Sequence, residues 1–495
     1  MLERAYKTES PDVHAMLIDG KWLSASNGAT FDDLNPVDGS LVARIADATA
    51  EDLDAAIVAA KVAQPAWEAM APFAKSALFL NAARIFEERK NEFAQALIAE
   101  TGSSFGKAMF ECSVVPTALL EAAALPTREI GEIYASQTPG KINRVVRRAA
   151  GVVGAISPWN FPLYLSLRAF MHAVALGNTA VLKPSEDSPL TGGLLIGKLF
   201  ADAGFPAGVL NVVTTSRDGA AMVGDTFVND PRINVLSFTG STHVGKMLST
   251  GCAAVFKPIM LELGGKNASI VLDDADVDRA VDLNFFGAFM HQGQICMSTD
   301  RILVHRSLYD TFVRKFVAKT AQFQPTAPNE MHCVIGPIIN TRQLRRIERM
   351  VGEAVAAGAV IETGGKAEDP YFQPTVLTAV SPNMAAWREE FFGPVTTITP
   401  FDTDEQAISL ANDSAYGLTG SIITSDVTRG EMLAERFAAG MIHVNDSTVH
   451  EDAHCPFSGH GASGGGGKWG PRGAIEAFTV QRWISTQREP HPLPF

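Results

Sequence analysis

The order of apolar and polar positions divides the chain into an opening segment and two longer stretches in which strands and helices alternate. Residues 17–45 contain short apolar runs separated by Asp-Gly and Asn-Gly turns, which is typical of small strands. From Thr49 to Glu100 the apolar positions recur at helical spacing, which predicts a helix over Leu53–Met70 and another after Pro72. A further helix is predicted over Val114–Tyr134.

From Gly151 onward, short β-branched runs alternate with amphipathic helical stretches. This rhythm predicts parallel strands joined by crossover helices, that is, a doubly wound α/β sheet. The first series has strands at 152–156, 180–182, 209–213 and 233–238, with helices at about 163–176, 188–202 and 217–228. A second series follows Asn267, with strands at 268–272 and 301–305 and helices at 275–290, 307–321 and 340–357.

Composition and charge exclude several classes of function. The chain has 495 residues and a formal net charge of −13, with no basic block, which argues against nucleic-acid binding. No uninterrupted apolar run reaches the ~18 residues of a membrane span, and the first residues lack the apolar core of a signal peptide. We therefore expect a protein without membrane or nucleic-acid partners.

The cysteines point to a reducing compartment. They are odd in number, widely spaced and free of any Cys-x-x-Cys pair, so neither a disulfide framework nor a zinc site is indicated. A cytoplasmic location fits best. The five positions are Cys112, Cys252, Cys296, Cys333 and Cys455.

Polar residues follow three strands of the first predicted sheet. They occupy 157–162, 183–186 and 239–245, and ligands bind at such carboxyl ends in open parallel sheets. The turn at 239–245 opens a helix, whose free N–H groups suit a phosphate. A lysine and a carboxylate, Lys183 and Glu186, can bind ribose hydroxyls. The usual dinucleotide fingerprint, Gly-x-Gly-x-x-Gly, is absent from the first strand–helix turn.

Two residues have the chemistry of a covalent catalyst. Cys296 follows Gly293-Gln294-Ile295 after an apolar run, and is either a nucleophile or one of the many buried structural cysteines. Glu262 lies among leucines before Gly264-Gly265, where burial would raise its pKa and suit a general base; otherwise it is a surface residue on a turn. One strand and one helix separate the two residues, so both can reach one cleft.

Six motifs occur along the chain in a characteristic order. They are Pro158-Trp159-Asn160-Phe161-Pro162, Lys183-Pro184-Ser185-Glu186, Phe238-Thr239-Gly240-Ser241-Thr242, Glu262-Leu263-Gly264-Gly265-Lys266, Gly293-Gln294-Ile295-Cys296 and Glu389-Glu390-Phe391-Phe392-Gly393-Pro394. Through these motifs the chain resembles the NAD(P)-dependent aldehyde dehydrogenase superfamily over nearly its whole length. Within that superfamily it is most similar to the branch that oxidises benzaldehyde, salicylaldehyde and vanillin-type aldehydes, through residues 291–299 and 444–450.

The resemblance implies a three-part subunit. Its parts are a Rossmann-type coenzyme domain (1–130 and 150–264), an α/β catalytic domain (265–464) and a small β oligomerisation arm (131–149 and 477–495). The arm would pair subunits into homodimers or homotetramers. From the residues alone, the basic segment 141–148 is either such an arm or a solvated edge strand.

The resemblance also implies roles for individual residues. Cys296 attacks the aldehyde carbon, Asn160 and the Cys296 N–H hold the oxyanion, the thiohemiacetal passes hydride to nicotinamide, and Glu262 activates water to hydrolyse the thioester. Because Glu186 would repel a 2′-phosphate, NAD is expected over NADP. The cofactor residues are Ile156, Ser157, Pro158, Trp159, Lys183, Ser185, Glu186, Gly240, Ser241, Leu263, Glu390 and Phe392.

The substrate tunnel implied by the resemblance is mostly apolar or aromatic. It comprises Phe161, Arg168, Met290, Ile295 and Phe457, which favours an aromatic aldehyde over an aliphatic one. Arg168 is compatible with three roles: a feature of the aromatic branch, an anchor for the carboxylate of a semialdehyde, or a salt-bridged helix residue.

Two further patterns look functional but fail on spacing. His443, His450, His454, Cys455 and His460 fit no tetrahedral metal motif, so no metal is expected. Gly464–Lys468 lacks two residues of a phosphate loop, because positions 462 and 469 are Ala and Trp. In the same stretch the lysine and arginine of the family pattern are replaced by Gly461 and Gly467, which should loosen the segment.

Three alternatives to an aldehyde dehydrogenase that uses water remain open at this point. A CoA-acylating relative would not need Glu262 as hydrolytic base. A non-catalytic binding protein on the same fold would be expected to lose Cys296, Glu262 or Asn160, and all three are present. A cysteine hydrolase would need a histidine beside the thiol, and His291 is near in sequence.

Overall fold

The computed structural model describes residues 13–128, 131–330, 332–467, 469–488 and 490. Within these residues the protein is a layered α/β structure with two large, mainly parallel sheets and several small ones. The class predicted from the alternation of strands and helices is confirmed.

The first sheet has eight strands among the described residues, and its five central strands are parallel. Helices that cover it are rich in buried apolar side chains, as expected where both sheet faces are packed. In spatial order the strands are Gly464–Gly465, Ile259–Glu262, Ile233–Thr239, Val152–Ile156, Thr179–Lys183, Leu210–Val212, Met16–Ile18 and Lys21–Leu23. The helices of this half are Ala50–Ala69, Pro72–Thr101, Phe105–Ala124, Pro162–Ala175, Leu195–Asp202, Ala220–Asn229 and Thr242–Ala254.

The second sheet is parallel except for one edge strand. Its strands, in spatial order, are Val360–Thr363, Thr375–Thr378, Val395–Phe401, Thr299–His305, Asn267–Val271, Thr419–Ile423 and Met441–Val444. The helices of this half are Val277–Phe289, Arg306–Thr320, Thr341–Ala356, Ala385–Arg388, Asp404–Asn412 and Val427–Ala434. The helix Pro471–Phe478 packs instead on Pro162–Ala175 of the first half.

The first α-helix begins with a capping box formed by residues just before and inside it. Thr49 accepts from the N–H of Asp52, and the Asp52 carboxylate accepts from the N–H of Thr49, which is a complete capping box. The helix runs over Ala50–Ala69 and buries Leu53, Ile57 and Trp67. The cap therefore fixes where the first helix starts and which face it turns to the core.

The helix expected over Val114–Tyr134 is wrong at both ends. The α-helix spans Phe105–Ala124, a 3₁₀ turn covers Leu125–Thr127, and Gly131–Tyr134 is a strand. Pro126 cannot continue an α-helical hydrogen-bond ladder, and the residues after it pair with the strand Lys141–Ala149.

The segment Phe105–Thr127 is long and apolar enough to cross a membrane by length and composition alone. Half of that stretch is buried inside the protein, where the helix packs on Pro72–Thr101. It also buries an ion pair, since Lys107 Nζ lies 2.6 Å from Glu111 Oε2. These features are those of a core helix.

A small three-stranded sheet unites the segments assigned to the arm. Its strands are Gly131–Tyr134, Lys141–Ala149 and Thr479–Gln487, the last two paired along their full length. Large apolar side chains lie on its exposed surface, including Ile133, which is 77% exposed, and Trp483, which is 70% exposed. The domain boundaries themselves stay a prediction, and the strand Gly464–Gly465, which straddles the predicted boundary at 464, pairs with the first sheet.

Candidate active site

The loop that carries Cys296 leaves the helix Val277–Phe289 through a tight turn. His291, Gln292 and Gly293 are all in the left-handed region, with φ of 50°, 53° and 65°. A Cβ at Gly293 would lie 2.1 Å from the carbonyl oxygen of Gly393, so only glycine fits there. Gln292 fixes the turn, because its Nε2 donates to the Pro337 carbonyl over 2.9 Å.

A second anchor holds the backbone at the thiol itself. Asn267 Nδ2 donates to the carbonyl oxygens of Cys296 and Ser298, both over 2.8 Å. Gly265 passes so close that a Cβ there would lie 2.5 Å from the Cys296 carbonyl oxygen. The segment Gly264-Gly265-Lys266-Asn267 thus packs against the backbone of the cysteine loop and holds it in place.

Asn160 approaches from the carboxyl end of the strand Val152–Ile156. Its side chain is buried, and Nδ2 donates to the carbonyl oxygen of Gln294 over 3.0 Å. An amide nitrogen carries two hydrogens, so this bond orients the group and leaves one donor free. Both Asn160 and Cys296 line the same two cavities.

Glu262 ends the strand Ile259–Glu262 and is 1% exposed. It lines the second cavity together with Cys296, and the two groups influence each other's ionisation. Burial raises the pKa of Glu262 to about 7, with Arg168 opposing the shift. Burial, together with the Glu262 carboxylate, raises the pKa of the Cys296 thiol well above its usual range. The resting pair is therefore a protonated thiol beside a carboxyl group that exchanges its proton near neutral pH.

Arg168 is buried on the helix Pro162–Ala175 and is salt-bridged. Its Nη1 lies 2.9 Å from Glu451 Oε1, and its Nη2 lies 3.7 Å from Glu262 Oε2. The guanidinium carbon sits 4.0 Å from the centre of the Phe457 ring. Of the three roles open to Arg168, the salt-bridged helix residue agrees with this geometry, and the ion pairs lie inside the site.

Cys296 lies where two cavities meet. The first is lined by all five residues expected in the substrate tunnel, with Phe110, Tyr164, Val449 and Glu451 added. The second, of about 300 Å³, contains Glu262 and the carboxyl end of the strand Ile233–Thr239. An electrophile entering through the first cavity and a cofactor in the second would meet at the thiol.

Seven of the twelve expected cofactor residues line the second cavity: Pro158, Trp159, Gly240, Ser241, Leu263, Glu390 and Phe392. The other five, Ile156, Ser157, Lys183, Ser185 and Glu186, lie outside that lining, at or just after the ends of two neighbouring strands. Ile156 and Lys183 are partners in the sheet register, so both groups share one edge.

The second cavity has groups suited to the phosphates and the nicotinamide ring of a dinucleotide. The helix Thr242–Ala254 begins directly after Gly240 and Ser241, so its unpaired N–H groups and positive dipole end lie beside the cavity. The Thr239 hydroxyl is buried there without a hydrogen-bond partner among the described residues. Trp159 and Phe392 meet edge to face, 5.3 Å apart, and provide an apolar surface for a flat ring.

Comparison with known proteins decides the family. The model of the aldehyde dehydrogenase family matches residues 22–484. The chain belongs to this family. A benzaldehyde dehydrogenase [NAD(+)] of Pseudomonas putida is 40% identical to it over 487 residues, 98% of this chain and 99% of the relative. A vanillin dehydrogenase of Pseudomonas sp. strain HR199 is 42% identical over 479 residues, 97% and 99% of the two chains.

The crystal structure of a salicylaldehyde dehydrogenase from Pseudomonas putida G7 complexed with salicylaldehyde matches this aldehyde dehydrogenase closely. The TM-score is 0.95 at 34% identity, covering 97% of this chain and 99% of the other. The resemblance to the aldehyde dehydrogenase superfamily and its fold are therefore confirmed.

Several residues of this aldehyde dehydrogenase site were not predicted from the sequence. Asn267 follows a recognised motif directly and could have been included on that ground. Glu451 comes one residue after the stretch 444–450, but nothing in the sequence indicates that it pairs with Arg168. Gln343 and Arg346 hold the loop of Glu390 and Phe392 through its carbonyl oxygens, from a helix remote in sequence.

The structure separates His291 from the thiol chemistry. Its ring packs edge-on against Phe161, 5.7 Å away, and its nitrogens have no hydrogen-bond partner among the described residues. Burial, followed by the charge of Lys107, lowers the pKa of His291 well below its usual range. This geometry does not provide the histidine base that a cysteine hydrolase would need.

The histidine- and glycine-rich segment, residues 443–467, carries exposed side chains, and its strand Gly464–Gly465 pairs with the first sheet. Only Asp452, His454 and Cys455 converge among the described residues that could bind a metal, with ligand atoms within 4.8 Å, and all three are exposed. Further along, Gly464 allows a close approach, because a Cβ there would lie 2.2 Å from the Leu261 carbonyl oxygen. At this position glycine allows close packing of the edge strand Gly464–Gly465 against the strand Ile259–Glu262.

Proposed function

We propose that this aldehyde dehydrogenase oxidises aromatic aldehydes of the benzaldehyde type to carboxylic acids, with NAD as cofactor. The observation that carries the proposal is the meeting of Cys296, Glu262 and Asn160 at the junction of two cavities. Each has the chemistry that one step of aldehyde oxidation requires.

Addition of the thiol to the aldehyde is the first step. As Sγ of Cys296 bonds to the carbonyl carbon, its proton passes to the neighbouring Glu262 carboxylate and the carbonyl π electrons move to oxygen. The free N–H of Asn160 and the backbone N–H of Cys296 stabilise that oxygen. The product is a thiohemiacetal on Cys296.

Bound NAD supplies the two-electron acceptor that converts the thiohemiacetal into a thioester. Lys183 and Glu186 would hold its adenosine ribose, Gly240 and Ser241 its pyrophosphate, and Glu390 its nicotinamide ribose. Ile156, Ser157, Pro158, Trp159, Ser185, Leu263 and Phe392 would surround it.

Hydrolysis completes the cycle. Glu262 first releases the thiol proton to solvent, and its carboxylate then removes a proton from water as the water oxygen attacks the thioester carbon. The carbon–sulfur bond breaks, the acid is released and the Cys296 thiolate takes that proton from Glu262. This use of Glu262 favours water over CoA as the acceptor; product analysis with and without CoA separates the two routes.

The lining of the first cavity supports an aromatic substrate. Phe110, Phe161, Tyr164 and Phe457 offer ring surfaces, while the cation of Arg168 is engaged by Glu451. The names of the benzaldehyde, vanillin and salicylaldehyde relatives point the same way. An anchor for a semialdehyde carboxylate would require Arg168 to leave that partner.

A panel of aldehydes tests the proposal. Benzaldehyde, vanillin and salicylaldehyde should give higher kcat/KM than acetaldehyde or succinic semialdehyde, read as NADH absorbance. Preference for the aliphatic aldehydes would overturn the substrate class, and no NADH from any aldehyde would overturn the activity.

Self-association and a cytoplasmic location belong to the same proposal. The exposed side chains Ile133 and Trp483 on the three-stranded sheet support a homodimer or homotetramer. All five cysteines are free, as expected in a reducing compartment. Sedimentation of the wild type beside Trp483→Arg would test the interface.

A further inference from the structure

Glu451 is the main partner of a cation buried in the active site. Its Oε1 accepts hydrogen bonds from Arg168 Nη1 over 2.9 Å and from the Tyr164 hydroxyl over 2.7 Å. The rings of Tyr164, Phe457 and Trp469 surround the guanidinium at 5.6, 4.0 and 5.6 Å. Arg168 is thus fixed on the side that faces Glu451.

The same cation reaches Glu262 only loosely. The Nη2–Oε2 distance of 3.7 Å is too long for a hydrogen bond, and Glu262 Oε1 and Arg168 Nη2 are buried without hydrogen-bond partners among the described residues. Among the described residues, Glu262 is the carboxylate that stays ion-paired with Arg168 once Glu451 is removed. Arginine pairs with carboxylates through two parallel hydrogen bonds, which would immobilise Glu262 as a weak base.

We propose that Glu451, with the help of Tyr164, is a positioning residue that holds the Arg168 guanidinium away from Glu262 and so keeps Glu262 free to act on the Cys296 thioester. The inference rests on the proposed function, since it assigns a role in the hydrolytic step. Glu451 acts through Arg168 and contacts neither the thiol nor Glu262 by a hydrogen bond.

The charges around Glu262 shift its pKa in the directions that the proposal requires. Arg168 and Tyr164 line the pocket from the helix Pro162–Ala175, and His172 lies buried one turn beyond Arg168 on that helix. Cys296 lies beside the carboxyl group, and Glu390 acts on Cys296 from the other cavity. After burial, Arg168 lowers the pKa of Glu262, and Glu451 raises it. Removing the charge of Glu451 should therefore lower the pKa of Glu262 and weaken it as a base.

The test is the pH dependence of thioester hydrolysis in Glu451→Gln. With benzaldehyde and NAD, we expect a burst of NADH followed by a steady state about ten-fold slower than wild type, because the weaker base slows the hydrolysis that limits turnover. The midpoint of the acid limb should move to lower pH. Glu451→Asp, which restores the charge, should recover part of the rate.

Asp452→Asn is the matched control. Asp452 follows Glu451 directly, carries the same charge and has an exposed side chain. The substitution should leave both the steady-state rate and the pH midpoint unchanged. If Glu451→Gln does not fold, Tyr164→Phe removes one donor to Glu451 and should shift the midpoint in the same direction by less.

The outcomes separate two failures. A wild type that makes no NADH from aldehydes overturns the proposed function itself. An active wild type whose Glu451→Gln and Tyr164→Phe variants keep its pH midpoint overturns only the role of Glu451. So does an equal loss of rate in Asp452→Asn.

Discussion

Asn160 is tied to the cysteine loop by a hydrogen bond to Gln294, two residues before the thiol. The Nδ2–O distance is 3.0 Å, and Gln294 in turn accepts from the Ile339 N–H through its own side chain over 3.1 Å. The amide of Asn160 therefore moves with the loop that carries Cys296. The donor left free on Asn160 is pre-positioned for an oxygen bonded to the carbon that Cys296 attacks.

Replacing Asn160 by alanine should cost the enzyme most of its catalytic rate. Loss of one pre-positioned oxyanion donor typically lowers kcat by about 10²–10³. Stopped-flow measurement of NADH formation should show the loss in the burst, that is, before hydrolysis. Asn229→Ala is the control, since its side chain bonds only locally to the Asp225 carbonyl on an exposed helix. A full-size burst at wild-type rate in Asn160→Ala would contradict the role.

Replacing Cys296 by alanine should abolish NADH formation, because no other group at the junction of the cavities can form the covalent intermediate. The measurement is NADH absorbance with the aldehyde panel, together with NAD binding to show that the variant folds. Cys455→Ala is the matched control, because Cys455 is an exposed free thiol outside both cavities. Undiminished oxidation by Cys296→Ala would remove the basis of the mechanism.

The sequence predicts site residues that lie in local motifs, but not those defined by contacts between distant segments. Cys296, Glu262 and Asn160 each stand in a local motif at a strand end or glycine turn, and the structure brings all three to one point. The sequence could predict them because the carboxyl ends of parallel strands lie at the same edge of a sheet. The pairing of Arg168 with Glu451 spans 283 residues, and no local pattern reports it.

The same distinction holds for the fold. The Thr49 capping box was predictable from four residues, since all its hydrogen bonds are local. The strand Gly131–Tyr134 was not, because it is defined by pairing with Lys141–Ala149, and its apolar residues also suit a helix. Pairing between separate segments is decided by tertiary contacts, which outweigh local propensity.

The activity should rise with pH through the neutral range. Burial raises the pKa of Glu262 to about 7, so the carboxylate form that acts as base is scarce below that pH and predominates above it. A plot of kcat against pH should show an acid limb with its midpoint near that value, provided hydrolysis limits the rate.

Glu262→Gln checks that assignment, because an amide cannot accept the proton. We expect hydrolysis about 10²–10⁴-fold slower, and no acid limb near pH 7 in what remains. Glu389→Gln is a control at a carboxylate outside both cavity linings. An unchanged acid limb in Glu262→Gln would assign the titration to another group.

Cofactor choice should depend on Glu186. Its carboxylate lies 3.4 Å from Lys183 Nζ and 3.6 Å from Arg217 Nη1. Burial opposes ionisation, but Lys183 and the other neighbours outweigh it and lower the pKa of Glu186, so the group is charged at neutral pH. A negative charge there repels a 2′-phosphate.

In Glu186→Gln the ratio of kcat/KM for NADP to that for NAD should rise about ten- to hundred-fold, from like-charge repulsion worth ~1–3 kcal/mol. Asp218→Asn, an exposed neighbour of Arg217, should leave the ratio unchanged. A wild type that already prefers NADP would overturn this role of Glu186.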